Sequence, residues 1–166
     1  MTVSVAGGVS LAPSDLVVFS GAAQAALRLG AHFGVEVEGG MQSSRVARAS
    51  GGLVDASLAW VGAALRAALR FDDGATELAA GLGLHAAAWS AHSEGFIQTR
   101  ETTFWVPGGH LFLELRRRLF AQAFFAARTQ LLVRLHDETF TIDGVGVVLR
   151  VPMSALCATV GVGWAF

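Results

Sequence analysis

The chain has 166 residues and a mass of 17.3 kDa, enough for one domain and too little for a second compact one. Its formal net charge is −1 and all twelve basic residues are arginine, so the basic footprint of a nucleic-acid binder is missing. Only 15% of residues are charged, 53% are apolar and mean hydropathy is +0.53, which excludes a disordered chain and brings a membrane into consideration.

The amino end, Met1 to Ala12, has neither a basic n-region nor an apolar run before a cleavage site, so it does not read as a signal peptide. A removed export signal and a non-exported chain both stay open. Cys157 is the single cysteine, which excludes an intramolecular disulfide or a CxxC site and reads as a small buried apolar residue. Transmembrane helices fit poorly. The longest stretches without Asp, Glu or Arg are Leu78 to Ser93 and Val151 to Phe166, sixteen residues each, and both are broken by Gly, Ser, His or Pro. A helical bundle is the runner-up fold.

The period that fits is two. Val3 to Leu11 sets Val3, Val5, Val9 and Leu11 against Ser4, Gly8 and Ser10, and Val17 to Leu29 sets Val17, Phe19, Leu27 and Leu29 against Ser20, Gln24 and Arg28. Phe33 to Gln42 opposes Phe33, Val35, Val37 and Met41 to Glu36, Glu38 and Gln42. Leu53 to Phe71 changes parity midway: Asp55, Ser57 and Ala59 claim the polar side first, Arg66 and Arg70 later. A β-bulge near Trp60 to Gly62 would reconcile them, and an amphipathic helix is the competing reading there. Glu77 to His85 sets Leu78, Leu82 and Leu84 against Glu77, Gly81, Gly83 and His85. His110 to Arg116 sets Leu111, Leu113 and Leu115 against His110, Phe112, Glu114 and Arg116. In Ala123 to His136 one row carries Arg128, Gln130, Arg134 and His136, and the other Phe125, Leu131, Val133 and Leu135. At the carboxyl end Leu156, Val160, Val162, Trp164 and Phe166 form one row and Cys157, Thr159, Gly161 and Gly163 the other.

These segments predict eight strands, at about residues 3–12, 16–29, 33–43, 53–71, 75–91, 104–117, 121–140 and 147–166. Asp143-Gly144 is a hairpin signal between Thr139 to Ile142 and Val145 to Val151, so the last two strands are expected to continue as a ribbon, with Pro152 marking an interruption. A soluble sheet would turn its charged rows to water. Three features favour the inverted arrangement, in which apolar rows face lipid and polar rows fill the interior. The polar rows are rich in Gly and Ala, which suits the narrow lumen of eight strands. Turns alternate between short (Gly30 to His32, Asp72 to Gly74, Arg118 to Phe120) and long (Gln42 to Gly52, Ala91 to Phe104). The chain also ends in Gly-Trp-Ala-Phe, with Trp164 and Phe166 on the apolar row.

With those rows in place, the sequence resembles the bacterial outer-membrane β-barrels, especially the small eight-stranded type of outer-membrane proteins A and X, over essentially the whole chain. The resemblance implies an all-β fold, an eight-stranded antiparallel transmembrane barrel of up-and-down meander topology in the bacterial outer membrane. In that family a terminal aromatic preceded by alternating apolar residues is the signal read by the barrel-assembly machinery, and Val160, Val162, Trp164 and Phe166 occupy those places here. The chain departs from the family in having no Tyr, so aromatic girdles are expected to rest on Trp60, Trp89, Trp105, Trp164 and the eleven Phe.

Inward parity gathers Arg28, Glu36, Glu38, Arg66, Arg70, Glu77, Glu114, Arg116, Arg128 and Arg134 into an expected lumen ion network, with Arg70 and Glu77 near-opposite across the Asp72 to Gly74 turn. Only Arg117 falls on a lipid row, beside that rim. A rim nucleophile built from His92, Ser93, Glu94 and Glu101 is weighed against solvated loop residues, which the unspecific spacing favours. His85, His110 and His136 share inward parity without metal-ligand spacing and read as polar lumen filling. Arg45 and Arg48 in a long loop could meet lipopolysaccharide phosphates or stay solvated. The expected role is therefore structural or surface-interacting, without cofactor or metal, among outer-membrane lipids, with an extracellular ligand at the long loops. An envelope-lipid enzyme at the rim and a narrow pore are the alternatives.

Overall fold

The computed structural model describes residues 1–11, 17–47, 53–94, 102–135, 138–142, 146–151 and 153–166. Its strands are β1 (Thr2–Leu11), β2 (Val17–Arg28), β3 (Phe33–Ala47), β4 (Leu53–Phe71), β5 (Thr76–Glu94), β6 (Thr102–Phe120), β7 (Ala123–Arg134), β8 (Glu138–Ile142), β9 (Gly146–Val151) and β10 (Ser154–Ala165). Eight of them close into an antiparallel barrel in the order β1-β10-β7-β6-β5-β4-β3-β2, and β8 with β9 forms a separate two-stranded sheet. Neighbours in the ring are neighbours in the chain except where the ribbon intervenes, so the fold is an up-and-down meander closed by pairing β1 with β10 from Thr2↔Ala165 to Leu11↔Leu156. No helix among the described residues is long and apolar enough to cross a membrane.

The alternation turns inside out as the sequence predicts. Leu65, Leu82, Leu111, Leu113, Val160 and Val162 are exposed on the outer wall, while Glu36, Glu38, Arg66, Glu114 and Arg128 are buried within. On β4 the apolar outer row runs from Phe71 up to Val61, which matches the 9 to 11 residues a tilted strand needs to cross hydrocarbon. Above it the outer wall becomes polar, where Ser90 and Thr103 share a hydrogen bond of 3.0 Å between their hydroxyls. With 19 residues each, β4, β5 and β6 therefore project past the apolar belt on the long-connection side.

The interior fits by pairing small with large. A side-chain carbon at Gly81 would collide with the Phe112 ring, one at Gly163 with Phe124, one at Gly108 with His85 and one at Gly40 with Trp60. Glycine in these strands is thus a matter of space, and its weak strand propensity is offset by the ring it accommodates. At the short-turn rim the chain reverses through Asp72, Asp73 and Gly74 at φ of 51°, 53° and 82°, a left-handed run that Asp and Gly tolerate best.

Several expectations need correction. No bulge interrupts β4: its ladders to β3 and β5 run without a shift, because Leu58 and Trp60 turn inward with Arg66 while Ser57 and Ala59 stay outside. Strands at the long-connection side are longer than expected, β3 reaching Ala47, β5 reaching Glu94 and β6 starting at Thr102, since the wall pairs on beyond the apolar belt. The expected strands 121–140 and 147–166 each divide. Barrel pairing ends where the Arg134 amide donates to the Met153 carbonyl, and β8 and β9 continue as the ribbon. Asp143, Gly144 and Pro152 lie outside the described residues.

Replacing Leu82 by Arg, in the middle of the outer apolar row, is expected to cost about 2 to 4 kcal/mol in reversible urea unfolding from lipid vesicles, since an arginine at the bilayer midplane carries that penalty. A loss below about 0.5 kcal/mol, the usual effect of a surface substitution in water, would contradict the lipid-facing assignment.

Candidate functional site

Interior charges converge because alternate residues of facing strands point at one axis. Arg128 on β7 and Glu114 on β6 are register partners. Glu36 and Glu38 sit on β3, four places around the ring from β7 and so across the barrel's diameter. Arg128 spans that diameter. Its Nη1 donates to Glu36 Oε1, and its Nη2 lies 2.8 Å from Glu38 Oε2. Beside it, Gln130 Nε2 donates to Glu38 Oε1 at 2.9 Å. Arg66 on β4 donates to Glu77 at 2.8 Å and to Glu114 at 3.3 Å, and lies 3.7 Å from Glu36. Arg116 reaches Glu114 at 2.5 Å and, through Nη1, the Thr2 hydroxyl on β1 at 3.0 Å. Side-chain contacts thus tie β1, β3, β4, β5, β6 and β7 together through the interior.

Burial is nearly complete at the centre, Glu36 and Glu114 each being 1% exposed. Such carboxylates need several cationic or hydrogen-bonding partners, because desolvation of an isolated charge costs several kcal/mol. Aromatic faces add to the arginine side: the guanidinium carbon of Arg128 stands 3.7 Å from the Phe112 ring centre and that of Arg116 stands 4.9 Å from Phe124. His110 Nε2 lies 3.2 Å from Glu38 Oε1, and its ring centre is 5.8 Å from that of His85. Among the described residues no three metal-ligating side chains gather, and His136 lies outside them.

Glu36, Glu38, Arg66, Glu77, Glu114, Arg116 and Arg128 form one connected cluster. Arg70 joins at its edge, its Nη2 2.7 Å from Glu77 Oε2, the partner that register places opposite it. Arg134 is buried farther up, with its guanidinium carbon 5.7 Å from the Trp89 ring centre. Arg28 departs from expectation: it lies exposed at the short-turn rim and donates to the Gly30 and Ala31 carbonyls, because β2 ends there and the turn supplies acceptors closer than any carboxylate.

The girdle expectation also changes. Trp89 is buried and Trp60 lies over Gly40, so both face inward, while Trp105 and Trp164 face outward. Phe33, Phe71, Phe120 and Phe166 are exposed at the short-turn rim and carry the aromatic belt there. Val160, Val162, Trp164 and Phe166 share the outer face of the last barrel strand and its end. Arg117 caps the rim from outside, donating to Asp72 at 2.8 Å. Its guanidinium, together with the Thr76 hydroxyl 3.0 Å away, holds the Asp72 carboxyl below its ordinary range. Of the rim candidates, His92, Ser93 and Glu94 end β5, where their backbones pair with Asp55, Val54 and Leu53. Glu101 and Arg48 lie outside the described residues, and Arg45 pairs by backbone with Asp55.

No protein-family model matches the sequence, and no curated protein matches it either. Solved structures do resemble it. Neisserial surface protein A superposes with a TM-score of 0.69 at 12% identity, over 99% of this chain and 95% of that one. The outer membrane protein OprG from Pseudomonas aeruginosa gives 0.67 at 12% identity, again over 99% and 95%. The attachment invasion locus protein Ail of Yersinia pestis, solved in complex with the heparin analogue sucrose octasulfate, gives 0.61 at 11% identity over 99% and 95%. The fold of this chain is therefore that of the small eight-stranded outer-membrane β-barrels.

Two outcomes test the electrostatics. Glu114→Ala leaves Arg66, Arg116 and Arg128 around a vacated buried site and is expected to cost about 3 to 5 kcal/mol of unfolding free energy in vesicles, against under about 1 for Arg70→Ala at the wet edge. Equal losses would count against a dry cluster. Because folding lowers the Asp72 pKa, the Arg117 latch stabilises the rim above the ordinary value of 3.8 and is lost as pH falls through the lowered one. A carboxyl NMR titration should place the Asp72 midpoint below 3.8, and Arg117→Ala should raise it toward that value, with the Thr76 hydroxyl still holding part of the shift.

Proposed function

We propose that this protein is an integral barrel of the bacterial outer membrane in a non-enzymatic structural or surface-interaction role, with its lumen plugged by paired ions. The carrying observation is the arginine–carboxylate cluster across the diameter, where Arg128 bridges β7 to both acids of β3. A plug of this kind stiffens the ring and opposes ion flow, since any permeating ion must displace partners that are desolvated together. The outer apolar belt supplies the contact with membrane lipids. Short turns and both described chain ends lie on the periplasmic side in this reading, and the longer connections with the β8–β9 ribbon lie outside.

Surface interaction is the reading that the projecting wall supports, because strands of 19 residues carry polar surface beyond the hydrocarbon. Two of the similar structures carry surface roles in their names, a surface protein and an attachment protein. The ribbon between Arg134 and Ser154 presents backbone edges to an extracellular ligand. Val160, Val162, Trp164 and Phe166, on one outer row, are the proposed signal for the barrel-assembly machinery.

Purified barrel in planar bilayers is expected to give no steady single-channel current. Sustained currents from the wild-type protein would overturn the plug and favour a narrow pore.

A further inference from the structure

The short-turn mouth opens into a cavity of about 490 Å³ whose lining carries the side-chain charges of Arg28, Arg66, Arg70, Arg116 and Arg118 against that of Glu77, with the chain-end residues Met1 and Phe166 also on it. Three of these arginines are compensated: Arg66 and Arg116 contact Glu114 behind the cavity floor, and Arg70 shares Glu77. Arg28 and Arg118 are not. Arg28 donates to the Ala31 carbonyl at 3.2 Å, and Arg118 donates to the Gly74 carbonyl at 3.3 Å. Neither has a carboxylate partner among the described residues. Carbonyl acceptors fix the direction of a guanidinium and leave its charge whole. The two residues stand on β2 and β6, four places apart in the ring, and their guanidiniums reach the β2–β3 and β4–β5 turns respectively.

We propose that this mouth is a binding site for a small multivalent oxyanion of the phosphate type. Two like charges in one concave mouth, one at the β2–β3 turn and one at the β4–β5 turn, raise a positive potential between them. Guanidinium forks held from behind present their remaining N–H groups as paired donors, the geometry that phosphate oxygens accept bidentately. A monovalent anion offsets only one of the two charges; a group with two acidic centres offsets both. Phe124, against Arg116, and His32 also line the cavity. The phosphate is either a soluble solute or the headgroup of an anionic lipid at the rim, and the site chemistry is the same for both. The inference does not depend on whether the lumen conducts.

Inorganic pyrophosphate titrated calorimetrically into the barrel in zwitterionic detergent is expected to bind at one saturable site, more weakly as NaCl is raised. The double variant Arg28→Ala with Arg118→Ala should bind about tenfold more weakly or worse, as loss of charge-assisted bonds implies. Arg117→Ala, outside the cavity, should bind as wild type. Both deleted side chains are exposed, and heat-modifiable gel migration checks that each variant is folded; Arg28→Gln with Arg118→Gln serves if the alanine pair is not. Doping the micelles with phosphatidylglycerol separates the sources: competition with pyrophosphate assigns the site to a lipid phosphate, and unchanged affinity assigns it to a soluble one. Absence of saturable binding, or undiminished binding in a folded double variant, would overturn the proposal.

Discussion

Closure of the backbone ladder is the constraint from which the other features follow. Hydrocarbon offers no partner to an unpaired N–H or C=O, so a sheet with free edges cannot cross it. Pairing β1 with β10 removes both edges at once. With eight strands the resulting cylinder is narrow, and each inward side chain meets residues from the opposite wall as well as its neighbours. That is why Gly81 faces Phe112, why Gly163 faces Phe124, and why one arginine can touch acids on the far side of the ring. Sequence alternation decides what is inside, and closure decides what inside residues must fit against.

Alternation was the legible part of this fold. Parity alone placed Glu36, Glu38, Arg66, Glu114 and Arg128 on the inner face, and all are buried there. The Asp143-Gly144 signal likewise anticipated a ribbon, seen as β8 and β9 on either side of it. What parity could not convey is height along the barrel. Trp60 and Trp89 read as girdle residues because an aromatic in a membrane strand has two homes, the interface and the interior. Trp89 shares the parity of Glu77 and His85 and Trp60 that of Arg66, and both stand inward on those rows, Trp60 over Gly40 and Trp89 beside the Arg134 guanidinium.

Strand ends and the imagined bulge in β4 failed for a related reason. The outward Ser57 reads as a parity error only if the whole strand is taken to lie in lipid, and Ala59 beside it is apolar and fits the outer row. Once the strand projects past the belt, outward polarity there needs no register shift, and the ladder is continuous. Arg28 was misassigned by the same blindness at the opposite rim, where a turn carbonyl replaces the carboxylate that parity seemed to promise.

Charge in the barrel is ordered by access to water. At the centre, where Glu36 and Glu114 are almost fully enclosed, each acid touches two or more arginines, and removing any member exposes the others to a large desolvation cost. Toward the mouth the requirement relaxes. Arg70 keeps a single acid, and Arg28 and Arg118 keep none among the described residues. A dry interior cannot hold an excess of one sign, whereas a wet rim can, since solvent and counterions screen it at little cost. Uncompensated arginines are therefore confined to the position where a mobile anion can reach them, and the neutrality of the core is what leaves their field free to act on the solution outside.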